Sequence, residues 1–149
     1  RYLRQMKQGH KQKWLDIYAH EFLKIQDAKF YMTQSWCNYN ATYDKHHTHT
    51  HPHSLISGVL YIQGDQTPIV FTRGKGLLPF LLNYKTFHIY NARTYWVNME
   101  AGQLFLFPSS LIHSVQDNKS KIKRISLSFN TFAKGKFGEL NDLDRLELT

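Results

Sequence analysis

Five of the nine histidines of this 149-residue chain fall between positions 46 and 53, as His46, His47, His49, His51 and His53. Neutral imidazole is a ligand for divalent iron, zinc, copper or nickel. Along an extended segment, side chains at i and i+2 share a face, so His47, His49, His51 and His53 are expected on one side and His46 on the other. A further histidine, His113, closes the distant stretch Phe107-Pro108-Ser109-Ser110-Leu111-Ile112-His113. A pair from the first run plus His113, delivered by a second strand, makes a three-point metal clamp with coordination positions left open. That is the geometry of a catalytic rather than a structural metal site. A histidine-rich tract also arises as a tag or a non-specific metal-binding stretch. This one is internal, interrupted by threonine and proline, and leads straight into an apolar segment at 55–62, which argues against both.

The elements that must carry these residues are mostly strands. Residues 12–26 are expected to be helical, because Leu15, Tyr18, Phe22 and Ile25 recur at spacings of three and four and form one apolar stripe for packing on a sheet. The aromatic stretch 30–40 reads as a strand, with further strands at 55–62, 67–72, 87–90, 94–98, 103–107, 112–115 and 122–130. Turn-forming Gly64-Asp65, Gly74-Lys75-Gly76, Asn91-Ala92-Arg93, Ala101-Gly102 and Gln116-Asp117-Asn118 separate them. Many short strands with frequent turns predict a β-sandwich or barrel. A jelly roll, or double-stranded β-helix, sets the strand with the first ligands beside the strand with the last, although they are far apart in sequence. The apolar segment 76–84 fits either an insertion covering one end of the barrel or a lid. The tail 139–148 fits either an edge strand or a short helix. The expectation is a single domain over 1–149, with its core at about 30–130 and the N-terminal helix packed on one sheet.

Composition is globular, 42% hydrophobic and 15% aromatic, and no apolar run has the length of a membrane span. The lone cysteine, Cys37, excludes an internal disulfide and reads as a small buried hydrophobe in a reducing, cytoplasmic setting. No signal peptide is read. The formal net charge is +8, concentrated in residues 1–29 and in Lys119, Lys121, Lys123 and Arg124. Such charge admits an anionic partner, but no nucleic-acid-binding motif accompanies it and a nucleic-acid partner is not favoured.

A second chemical feature lies beyond His113, in Arg124-Ile125-Ser126-Leu127-Ser128-Phe129-Asn130. Arg124 and Ser126 share a strand face. A guanidinium fork beside a hydroxyl is a receptor for a carboxylate. Five blocks now stand in order: Trp36-Cys37-Asn38, His49-Thr50-His51-Pro52-His53-Ser54, Ser57-Gly58-Val59-Leu60-Tyr61, Phe107 to Val115, and Arg124 to Asn130. Together they resemble the iron(II)- and 2-oxoglutarate-dependent oxygenases, and more narrowly a small bacterial and phage-borne group of them, over about residues 30–130.

The resemblance implies a jelly roll in which iron is held by two histidines and usually one carboxylate, and 2-oxoglutarate chelates it while its far carboxylate reaches an arginine. Carried over to this chain, His49 and His113 are ligands, Arg124 with Ser126 is the anchor, and Asn38 and Tyr61 belong to the cosubstrate pocket. Oxygen and an unidentified second substrate are the remaining partners, with ascorbate as a reductant. One departure stands out: where the family carries Asp or Glu two residues after the first histidine, this chain has His51. Either His51 ligates, which is the favoured arrangement, or a carboxylate such as Asp44 or Asp65 completes the set, or the register shifts to His47 and His49. The same departure sustains a cupin reading, since cupins share the jelly roll and often bind metal through three histidines. The run from Gly102 through Pro108 to His113 is similar to the second cupin motif, with Ser110 in place of glycine. A non-catalytic, metal-dependent jelly-roll binding module is the third alternative. Arg124 discriminates, because only the 2-oxoglutarate enzyme needs it.

Overall fold

The computed structural model describes residues 8–64, 67–74, 83–88, 90–139 and 144–149. Within them the strands are β1 (Ala28–Asn40), β2 (His46–His49), β3 (Ile56–Gln63), β4 (Ile69–Thr72), β5 (Thr94–Val97), β6 (Leu104–Pro108), β7 (Ile112–Val115), β8 (Arg124–Phe137) and β9 (Leu146–Leu148). They form two antiparallel sheets. One has the order β1-β8-β3-β6, with β9 also pairing β8; the other has the order β2-β7-β4-β5. This is the jelly-roll order that the spacing of the histidines requires.

Strand β3 shows how side-chain chemistry sets the layers. Ile56 joins an apolar cluster with Leu15, Ala19, Ala28, Phe30 and Ala133, where the N-terminal helix covers the five-stranded sheet. Val59 and Tyr61, of opposite parity, join Ile69, Met99 and Phe107 between the sheets. With both faces buried, β3 reads as a nearly continuous apolar run. Gly58 sits opposite Phe129 of β8 in the register. A Cβ there would lie 2.2 Å from the fully buried Phe129 ring, so only glycine lets that ring lie across β3.

The helix departs from expectation at one position of its apolar face. An α-helix, α1 (Gln8–Asp16), continues as a π-helical turn at Ile17–Phe22, and the Leu23 N–H donates to Tyr18 O at 2.9 Å. Each wide turn holds an extra residue and rotates the residues after it about the helix axis. Leu15, Tyr18 and Ile25 of the expected stripe pack on the core, but Ala19 is fully buried in place of Phe22, which is 74% exposed and stacks on Tyr18.

Two further expectations change, and one open alternative is decided. No described residue of 87–90 lies in a strand: the His88 N–H donates to Asn91 Oδ1, and Asn91 Nδ2 to Thr86 O, closing a side-chain-capped turn. Asparagine competing for backbone in this way is the turn chemistry that the aromatic residues masked. Cys37 is exposed, because Trp36 and Asn38 on either side take the inward parity of β1 where the helix no longer covers it. The tail resolves to an edge strand, with Leu146 opposite Phe137 on β8. Residues 75–82, most of the 76–84 segment, and Asp65 lie outside the described residues.

Candidate metal centre

His49 on β2 and His113 on β7 are direct partners across the sheet. Their ring centroids are 4.4 Å apart, and His51 sits 5.0 Å from each. One ring nitrogen of each of the three lies within 4.8 Å of the others. Among the described residues, the group contains no carboxylate.

Backbone carbonyls fix the rings. His49 Nδ1 lies 2.7 Å from His47 O, and His113 Nδ1 lies 2.8 Å from Leu111 O. A carbonyl only accepts, so both rings carry their proton on Nδ1, which leaves the Nε2 lone pairs for a metal. Burial, reinforced by the neighbouring imidazoles of His113 and His49, pushes the His51 pKa down to about 4. His113 is also lowered by its burial, against the opposing effect of its bond to Leu111. Both are thus held neutral at physiological pH, as ligation requires.

The expected placing of the histidine run is half right. His46 and His49 are three positions apart on β2, but their partners on β7, Val115 and His113, are only two apart. The irregularity reverses the alternation. His46 therefore lines the same cavity as His49 and His51, and its Nε2 meets Asn40 Oδ1 at 3.1 Å. His47 is exposed. His53, also exposed, has a left-handed φ of 59° that turns the chain away. His46 is the residue that sequence reasoning assigned to the wrong face, and only the β2–β7 register exposes the error. Asp44 is not a member of the group: its exposed carboxylate closes a turn by accepting the Ala41 N–H at 2.7 Å.

His51 lies beyond β2, and its position depends on a buried lattice of hydroxyls. Its N–H donates to Ser109 O, and the Ser109 N–H donates to Leu55 O, each at 3.0 Å. Ser109 Oγ is 2.7 Å from both Ser54 Oγ and Ser57 Oγ, and Ser57 Oγ donates to Asn130 Oδ1 at 2.8 Å. Ser57, Ser109 and Asn130 come from three of the sequence blocks, so part of that pattern serves to tie β3, β6 and β8 behind His51.

The other wall of the cavity comes from the five-stranded sheet. A space of about 100 Å³ is lined by the three histidines together with Asn38, Tyr61, Arg124, Ser126 and Ser128. Ser126 pairs with Asn38 on one side and Tyr61 on the other, which brings the four predicted pocket residues to one place. Asn38 Nδ2 donates to Ser126 Oγ at 3.3 Å and to Ser128 Oγ at 3.0 Å, leaving both hydroxyl protons to point elsewhere. Tyr61 is held as the neutral phenol: burial raises its pKa to about 12 against the opposing pull of Arg124.

Arg124 is 1% exposed. Its Nη1 donates to Gln116 O at 3.3 Å, and its Nη2 is buried with no hydrogen-bond partner. A buried guanidinium with an unsatisfied nitrogen is costly, and an anion entering the cavity would remove that cost. The donor set fits a divalent transition metal, and the orphaned nitrogen fits an anion held beside it.

Fold and site together define a jelly-roll protein with a three-imidazole group facing an arginine across one cavity. The family model described as "Putative 2OG-Fe(II) oxygenase" (2OG, 2-oxoglutarate) matches residues 34–130, and the chain belongs to that family. Among solved structures, it is similar to an oxidoreductase of the 2OG-Fe(II) oxygenase family from Burkholderia pseudomallei, with TM-score 0.56 and 12% identity over 82% of this chain and 57% of that one. It is also similar to a Pseudomonas putida prolyl-4-hydroxylase, with TM-score 0.52 and 17% identity over 79% of this chain and 59% of that one. At these identities the likeness is one of fold, and this chain spans less than three-fifths of each. No curated protein sequence matches it. No helix among the described residues is long and apolar enough to cross a membrane.

Proposed function

We propose that this chain is a non-haem iron(II)- and 2-oxoglutarate-dependent oxygenase, a single catalytic domain acting in the cytoplasm, that hydroxylates a second substrate while 2-oxoglutarate is converted to succinate. The observation that carries the reading is Arg124, a buried cation with an unpaired nitrogen, lining the same cavity as three converging imidazoles. His49, His51 and His113 would hold the iron. When bound, iron supplies oxygen activation coupled to decarboxylation of the 2-oxo acid, with ascorbate as the reductant that keeps it ferrous.

The remaining work belongs to the chain. Arg124 takes the far carboxylate of the dianion, a charge-assisted contact with planar geometry. Ser126 and Ser128, their oxygens occupied by the Asn38 amide, direct their protons into the cavity toward the same anion. Tyr61 stays protonated and so remains a hydrogen-bond donor. Asn38 is then a positioning residue rather than a direct contact. The walls contributed by Trp36, Val59, Ile69 and Phe107 limit water at the metal.

One observation favours a second reading. With three imidazoles and no carboxylate among the described ligand residues, the donor set is also that of a cupin-type metal dioxygenase or isomerase, or of a metal-dependent binding module, acting without an oxo acid. Succinate separates them. Protein supplied with iron(II), 2-oxoglutarate, ascorbate and oxygen should release succinate even without its second substrate, as slow uncoupled turnover, and Arg124→Gln should abolish it. No succinate from the wild-type protein, with iron bound, would transfer the assignment to the three-histidine alternative.

A further inference from the structure

A second, larger cavity of about 740 Å³ opens beside the metal centre and shares Phe107 with it. Its size is that of a small-molecule pocket, for which about 300–1,000 Å³ is typical. The body is apolar, built from Phe71, Val97, Phe105, Phe107, Leu111 and Ile112. Phe71 and Phe107 also pack on His113, at 5.9 and 4.9 Å between ring centroids, so the aromatic wall separates the two spaces.

The rim has a different character. Arg73 follows β4 and Arg93 precedes β5, and the Arg73 N–H donates to Arg93 O at 2.9 Å, which continues the β4–β5 pairing by one step. Arg73 Nη1 donates to Tyr90 O at 3.2 Å, so of the two exposed arginines Arg93 is the one placed to meet a ligand, and no acidic residue lines the cavity among the described residues. An apolar body with a cationic end has the complementarity of an amphipathic anion.

We infer that this cavity binds an amphipathic carboxylate, its hydrocarbon body among Phe71, Val97, Phe105, Leu111 and Ile112 and its acid group at Arg93. The inference does not depend on the oxo-acid chemistry proposed for the neighbouring site. The hydrocarbon could be an acyl chain or an aryl ring, and two probes separate these sources.

The test uses 1-anilinonaphthalene-8-sulfonate, an apolar ring system bearing an anion, bound to the folded chain and displaced by octanoate, 4-phenylbutyrate or neutral octanol. Either acid should displace the dye at concentrations about tenfold below octanol, the better acid identifying chain or ring. Arg93→Gln, an exposed substitution, should remove most of that advantage and leave octanol unchanged. Thr94→Trp, at an exposed β5 position lining the cavity, should weaken all three competitors while iron(II) titration of the histidine group stays as in the wild type. Equal displacement by octanol and the acids, indifference to Arg93→Gln, or no dye bound to the native protein would each overturn the inference.

Discussion

The two sheets divide the work of the cavity unequally. The four-stranded sheet brings the imidazoles together on strands of only four residues, β2 and β7, with one register irregularity and with His51 already outside the strand. The five-stranded sheet presents its polar residues from β1 and β8, strands of 13 and 14 residues paired nearly end to end. Residues 124–130 of β8 pair one for one with 34–40 of β1, clear of the irregularity at Met32/Gln34, and this unbroken stretch fixes Arg124, Ser126 and Ser128 by alternation. Short irregular strands cannot, so His51 depends on Ser109 and the hydroxyl lattice. The electrostatics divide the same way: neutral nitrogen donors on one wall, a buried cation and hydroxyls on the other. A ligand bridging the walls would meet a metal at one end and a charge-assisted fork at the other.

Breaking the histidine wall should have the largest effect. His113→Ala removes a ligand and is expected to weaken iron(II) binding at least about 100-fold, beyond the roughly 10–100-fold that losing a supporting partner costs. Anaerobic calorimetry reads this directly, and unchanged stoichiometry and affinity would remove His113 from the site. His46→Ala, on the same wall but bonded to Asn40, should change iron affinity far less.

The hydroxyl lattice offers a sharper cut. Ser109→Ala leaves Ser54 and Ser57 without a shared partner in a buried place, and should cost about 1–3 kcal/mol of stability in urea unfolding. It should also loosen His51 more than His49, so iron affinity should fall while binding of an oxo-acid anion at Arg124 is spared. A variant as stable as wild type would show that the lattice is not what holds the irregular wall.

The smallest effect is a pH dependence. The His51 pKa is about 4 in the folded chain against 6.5 when exposed. Between these values the unfolded state binds more protons, so the metal-free protein should lose stability as pH falls from about 6.5 toward 4 and recover it above. His46 and His113, also lowered, act in the same direction. His51→Gln should flatten the profile measured by urea unfolding at stepped pH. An unchanged slope would place His51 in a more hydrated environment than the cavity.

Much of this was legible because the chemistry sits on regular elements. Arg124 and Ser126 at i and i+2, Asn38 opposite Ser126, and His113 opposite His49 all follow from strand alternation and jelly-roll order. What escaped reading depends on one-residue changes of phase. The irregularity between His46 and His49 turned the wrong histidine inward, and the π-helical turn exchanged Phe22 for Ala19. Periodicity has no term for an inserted residue, so both errors share one cause. The strand expected at 87–90 failed for a local reason, the capping amide of Asn91.

The claim that the two walls act on one ligand is tested most directly by titrating 2-oxoglutarate into the iron(II)-loaded protein without oxygen, for the wild type, Arg124→Gln and Arg124→Lys. The account predicts one site per chain, severe weakening in Arg124→Gln equivalent to about 2–5 kcal/mol, partial recovery in Arg124→Lys because ammonium lacks the planar fork, and unchanged iron affinity in both variants. Equal binding by wild type and Arg124→Gln, or no binding by the iron-loaded wild type, would contradict it.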